Sequence, residues 1–287
     1  MRNLILDLET IPSQNPAVKA AIYARDAFRL TQGIGMIEPD SRLANPVKMA
    51  KSIADRTAAA ERDLINHNAA KLAAADKAWR ETAMDGWFGH VAVIGWAVDH
   101  HKVNSLETVD VGVEIPTCSG GVIAPNFTVE NVTLDVSVEK ARLESFFRSV
   151  GSGEFVIVGH QVRRFDILFL WQRCVVLRID PPRWLRVATN SSRYSEEFVN
   201  DTAEMCSTTS KGKPFGPSLN HICESLGIPT KGDIDGSKVW DKVAAGNLAD
   251  VADDCRWDVR RARSVWRRIQ GLAPLDLDLR VLTEVAA

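Results

Sequence analysis

The run Leu4-Ile-Leu-Asp-Leu-Glu-Thr10 limits the fold more than any other stretch of the chain. It is apolar enough to be a buried strand, yet it carries Asp7 and Glu9. Residues two apart in a strand share a face, so the two acids project side by side, with Leu4, Leu6 and Leu8 on the other face. Buried like charges repel and cost several kcal/mol unless something positive lies between them. A divalent cation answers that need, because hard carboxylate oxygens suit Mg²⁺ or Mn²⁺. The alternative is an edge strand whose two acids are solvated.

The same conflict recurs near the C-terminus. From Asn247 to Ile269 the spacing predicts a long helix whose apolar stripe runs Val251, Cys255, position 258, Ala262, Val265 and Ile269. Position 258 is Asp, and a carboxylate inside a buried stripe requires a partner. That partner is either a metal ion or an Arg. A fourth acid, Asp166, follows Val158-Gly-His-Gln-Val-Arg-Arg-Phe165, where a strand ends and a helix opens. In isolation it reads as a helix N-terminal cap or dipole partner, and it gains weight only as a member of the set.

Around these segments the chain reads as a mixed α/β domain. Strands are expected at Val91–Val98, within Gly121–Val136, and at Phe155–Val158. Helices are expected at Val138–Val150, with Ala141, Phe146, Phe147 and Val150 inward, at Asp166–Leu177, and at Leu219–Leu226, where Gly227 is the C-cap. Pro181-Pro182 reads as a stop. Residues 15–83 differ: Ala, Lys, Arg and Glu dominate, which predicts a helical insertion after the first strand, broken by Gly and Pro between 33 and 46. The expectation is one domain over residues 1–287 with this insertion. With 287 residues, 45% hydrophobic and 25% charged, the composition is that of an ordinary globular protein. The five scattered Cys suggest reduced thiols and a cytoplasmic setting. No stretch approaches the ~20 apolar residues of a membrane span.

Taken together, the three acid-bearing segments resemble the DEDD superfamily of 3′→5′ exonucleases. Leu4 to Thr10 is similar to the first motif, Gly159-His-Gln through Phe165-Asp166 to the second, and Asp258 within Cys255-Arg-Trp-Asp-Val259 to the third. Gly227-Ile-Pro-Thr-Lys-Gly-Asp-Ile-Asp-Gly-Ser-Lys-Val239 resembles the linker before the third motif in exonucleases related to family-B DNA polymerases. Ala83-Met-Asp-Gly through Ile94-Gly-Trp-Ala97 is similar to the second-strand region of phage-type members. The resemblance implies an RNase H-like mixed sheet flanked by helices. It also implies two divalent ions, Mg²⁺ or Mn²⁺, held by Asp7, Glu9, Asp166 and Asp258. Such ions stand about 3.5–4 Å apart and serve the attacking water and the leaving oxygen. By resemblance Asp7 bridges both, Glu9 and Asp258 complete the first site, and Asp166 supports the second. Thr10 and Lys231 fall among the residues expected to touch nucleic acid.

Two positions depart from the family pattern. The family carries a Tyr four residues before its last Asp, or a His five before it. Here those positions hold Asp254 and Asp253, and Gln161 replaces the usual second-motif Asn. Asp254 lies one helical turn from Asp258 and is the candidate for positioning the attacking water.

Net charge is −2, yet residues 163–193 hold seven Arg against two Asp. Arg forks suit phosphate, and Arg163 and Arg164, beside Asp166, are the candidates. The Arg-rich face of the last helix is expected to be solvated. The implied partner is single-stranded nucleic acid, DNA before RNA, with no membrane and a possible homo-oligomer through the insertion. Two other readings stand beside the DNA exonuclease: a silent nucleic-acid-binding protein that lost the Tyr, and an exoribonuclease. With no polymerase region, a stand-alone enzyme, phage-encoded or prophage-encoded, fits the resemblance.

Overall fold

The computed structural model describes residues 2–100, 112–114, 136–192, 196–207, 216–230, 236–273 and 275. It divides into two compact units, residues 1–14 with 82–287, and residues 15–81.

The larger unit is built on a five-stranded sheet, ordered β3-β2-β1-β4-β5. Central β1 (Arg2–Ile11) pairs antiparallel with β2 (His90–His100), which pairs antiparallel with β3 (Gly112–Glu114). On its other side β1 runs parallel to β4 (Phe155–Gly159), and β4 parallel to β5 (Val199–Asp201). This is the mixed sheet of an RNase H-like fold, and helices cover both faces.

The alternation read in β1 decides what lies on each face. Leu4, Leu6 and Leu8 enter a core with Leu143, Phe146, Ile167, Phe169, Leu170 and Trp184. These come from α3 (Val136–Val150), α4 (Asp166–Leu177) and α5 (Arg183–Asn190). Ile5, on the face of Asp7 and Glu9, packs with Val158, Val259, Ala262 and Trp266. The last three of these belong to the long helix α9 (Leu248–Ile269). Smaller helices α6 (Thr202–Met205), α7 (Leu219–Leu226) and α8 (Val239–Ala244) precede it.

Several expectations need correction. Ala141 faces outward in α3, and Leu143 takes the inward place. Pro181-Pro182 starts a helix: Pro182 is the N-cap of α5, since a missing N–H costs nothing at a helix start. Ile269 ends the α9 stripe exposed. On the same helix Arg260, Arg261 and Arg263 are buried where a solvated face was expected. The strand expected within Gly121–Val136 lies outside the described residues except for Val136, which opens α3.

A buried ion-pair cluster ties α3, α4 and the start of β2 together. Glu139 accepts from Arg173 Nε at 2.9 Å and from Arg173 Nη2 at 2.6 Å, and lies 2.9 Å from His90 Nδ1. Burial alone would raise the Glu139 carboxyl, but His90 and Arg173 outweigh it and hold it below its ordinary value.

The smaller unit consists mainly of α1 (Pro16–Tyr23) and the 35-residue α2 (Pro46–Arg80). Both open on an Asn N-cap followed by Pro, a strong start signal. Ile22, Ala75 and Trp79 are buried, and Lys19 Nζ lies 3.8 Å from the centre of the Trp79 ring. Among the described residues, no helix is long and apolar enough to cross a membrane.

Candidate active site

Asp7 and Glu9 project from the centre of β1 toward α9, and Asp258 of α9 meets them. One carboxylate oxygen from each lies within 4.8 Å of the others, and all three side chains are half-buried. A glycine makes this approach possible. Gly95 pairs with Asp7 across β1 and β2. A Cβ there would stand 2.7 Å from Cys255 Sγ and 2.9 Å from Val259 Cγ2, so only glycine lets α9 settle on the sheet at this point.

Asp166 arrives from the other layer, at the first position of α4. It is buried, and its Oδ1 meets no hydrogen-bond donor among the described residues. Its position depends on the turn before it. Gln161 is left-handed, with φ 60°. Asn is strongly enriched in that region, which gives a backbone reason for the Asn usual at this place. Here Asp201, at the end of β5, supports the turn: its carboxylate accepts from the N–H groups of Gln161 at 2.9 Å and Arg163 at 3.1 Å.

The acids raise one another's pKa. Burial pushes Asp7 well above the carboxylate range, and the charges of Asp258, Glu9 and Asp166 add to it. Glu9 is raised by burial, then by Asp258, Asp254 and Asp166. Asp166 is raised chiefly by burial, against hydrogen bonds from its own backbone and that of Leu8, with Asp201 and Asp258 adding to the rise. Several carboxylates held in one place, one with an orphaned buried oxygen, form a donor set that fits hard divalent cations.

Two neighbours to which the sequence reading gave no role at the site hold individual acids. The Cys255 thiol lies 3.2 Å from Asp7 Oδ2 and donates to it. In the sequence Cys255 was only an apolar stripe residue. Arg261, almost fully buried, pairs with Asp258 and also donates to Asn220 Oδ1 of α7. The Asp258–Arg pair and the carboxylate cluster, set as alternatives in the sequence, coexist in the structure.

A family model described as a predicted 3′-5′ exonuclease related to the exonuclease domain of PolB matches residues 117–279. The chain belongs to this exonuclease family. No curated protein matches it. The matched span contains Asp166, Asp254 and Asp258. Asp7 and Glu9 lie ahead of it, and the fold brings them beside Asp258.

Of the two acids that replace the family's Tyr or His, Asp254 is buried in α9 and its charge reaches Glu9. Asp253 points outward and pairs with Arg256 at 2.5 Å. The residues expected to touch nucleic acid are placed differently from one another. Arg163 is turned inward: its guanidinium donates to Ser191 Oγ at 2.9 Å and to Val199 O at 3.1 Å, and Nε lies 3.4 Å from Glu204. Arg164 is more exposed and lies 3.6 Å from Glu204. Thr10 is buried and donates to Ala83 O at 2.7 Å. Lys231 lies outside the described residues. His160 is a structural residue, 3.0 Å from Thr202 Oγ1, and burial holds its imidazole down at about 4.

Proposed function

We propose that this family member removes nucleotides from the 3′ end of DNA, acting on single strands, by metal-dependent hydrolysis of the phosphodiester bond. The observation that carries the proposal is the convergence of Asp7, Glu9 and Asp258 within 4.8 Å, with buried Asp166 adding its charge. Two divalent ions bound there would supply a hydroxide nucleophile and stabilise the departing 3′ oxygen. Asp7 would hold both ions, Glu9 and Asp258 one, and Asp166 the other.

The remaining steps belong to the chain's own groups. Asp254, one turn before Asp258, takes the place of the family's Tyr or His and orients the attacking water as a general base. Its proximity to Glu9 supports that role. Arg164, the more exposed of the two, would meet a phosphate beside Asp166, whereas Arg163 braces the turn. Cys255 and Arg261 each take one oxygen of a metal-binding acid and fix its rotamer, the usual duty of groups behind a metal ligand.

The test is degradation of a 5′-labelled single-stranded oligonucleotide with Mg²⁺ or Mn²⁺, beside EDTA and the Asp7→Asn variant. A ladder that shortens from the 3′ end, and is absent in both controls, is expected. Full activity in Asp7→Asn would remove the site assignment. No cleavage of DNA, followed by cleavage of the matching RNA, would move the substrate to RNA.

A further inference from the structure

The larger unit also carries an exposed apolar surface that the catalytic reading does not use. Trp87 and Phe88 are 48% and 49% exposed, and Met84 is 67% exposed. On α4 an apolar stripe continues: Leu168, Val175 and Val176 are 42%, 49% and 41% exposed. With Gln172 these lie at helical spacing on one face. The two groups adjoin at Gly86, whose N–H donates to Gln172 Oε1 at 2.9 Å. A Cβ on Gly86 would stand 2.8 Å from Phe169 O, so the turn lies flat against the helix.

This surface is fixed to two of the three elements that carry the acids, β1 and α4. Ala83 O accepts from Thr10, the residue after Glu9, at 2.7 Å. Gly86 O accepts from Arg173 of α4 at 3.1 Å. The Trp87-Phe88 pair is held by Asp85: its side chain accepts from Trp87 N at 3.0 Å, and its carbonyl from Phe88 N at 3.0 Å. Three residues beyond Trp87, His90 enters β2 opposite Ile11. Leu168 lies two residues after Asp166 on the same helix. Two aromatic side chains are therefore left in solvent on a short, tethered turn at the end of the strand that carries Asp7 and Glu9.

We propose that Trp87 and Phe88 form a base-stacking platform for the unpaired strand whose 3′ end reaches the acid cluster, with Leu168 as its apolar margin. Aromatic faces bind any base, because every base has a π-face, and so suit an enzyme that must shorten a strand regardless of sequence. An apolar platform offers nothing to a phosphate, whereas Arg164 stands two residues before Asp166. Backbone and bases thus have separate places. The proposal rests on the exonuclease reading above and names the surface that holds its substrate.

The test measures binding of a fluorescent single-stranded oligonucleotide to the full chain by anisotropy, with Ca²⁺ as the metal. Trp87→Ala and Phe88→Ala are each expected to weaken binding about tenfold. Trp87→Phe should retain most of the affinity. An oligonucleotide with abasic residues at its 3′ end should bind the wild type as weakly as it binds Trp87→Ala. Tm should be unchanged in all three variants, so that a lost affinity is not a lost fold. Unchanged oligonucleotide affinity would overturn the platform, as would losses from the abasic strand and from Trp87→Ala that simply add. If the wild type self-associates in sedimentation and Trp87→Ala does not, at unchanged affinity, the surface is a protein interface instead. Failure of the wild type to shorten the oligonucleotide with Mg²⁺ or Mn²⁺ would count against the exonuclease and leave the binding measurement to judge the platform separately.

Discussion

Each acid of the cluster has a different immediate neighbour, and this gives the carboxylates separate characters. Asp7 receives a thiol, Asp258 a guanidinium and Asp166 a strained turn, while Glu9 faces a further carboxylate, Asp254. Asp254 therefore both adds to the charge that a cation must satisfy and holds Glu9 up. Asp254→Asn should lower kcat by about 10²-fold or more if this residue positions water, the range typical of a general base. Mn²⁺ affinity, read by calorimetry, should be unchanged in that variant, and the acidic limb of its pH–rate profile should move to lower pH as Glu9 is relieved. Strongly weakened Mn²⁺ binding would make Asp254 a ligand. The acids were legible in the sequence because each interrupts an apolar pattern. Asp201 was not, because its work is done across elements that the chain brings together from far apart; Arg261, one turn from Asp258, was not singled out because the Arg-rich face was expected to be solvated.

Among the elements, the meeting of β1, β2 and α9 decides whether a site exists at all. Gly95→Val would drive a side chain into Cys255 and Val259 and lift α9 from the sheet. Overpacking of this kind costs about 1–3 kcal/mol. The expected result is a lower Tm together with loss of Mn²⁺ binding, since Asp258 leaves with the helix. Retained binding at wild-type affinity would show that α9 can shift without moving its acid. β1, β2, β4, α4, α7 and α9 were readable because they are long or sharply capped, as at left-handed Gly227. β5 has three residues, too few to show a period, and its partner β4 reveals it only in the sheet. The start of α5 at Pro182 needed the structure, because proline both ends and begins helices.

For the molecule as a whole, the cluster makes stability depend on pH in opposite ways with and without metal. Asp7, Glu9 and Asp166 have folded-state pKa values above their unfolded ones. Without metal they destabilise the fold while ionised, and that cost is removed as pH falls through the raised values. His160, held at about 4, opposes this from about pH 6.5 downward, since the unfolded imidazole takes a proton that the folded one refuses. Glu139 acts lower still: its carboxyl is depressed, so its contribution is present above the ordinary Glu value and is lost as pH falls through the folded one. The metal-free protein should thus gain Tm as pH is lowered from the alkaline side toward the ordinary imidazole value, below which His160 begins to oppose the three carboxyls. Saturating Mn²⁺ should raise Tm at the upper end, and the gain should shrink as protons displace the ion. A metal-free Tm that falls steadily over that range would contradict the assigned burial of the acids.

The chain leaves the sheet after Gln14 and returns at Thr82, and these two points are sewn together: Ser13 N–H donates to Thr82 Oγ1 at 2.8 Å. Thr10 makes a second stitch to Ala83. The opening therefore works as a closed port. The two ends of the insertion are thus fixed by bonds within the larger unit, a few residues from Glu9.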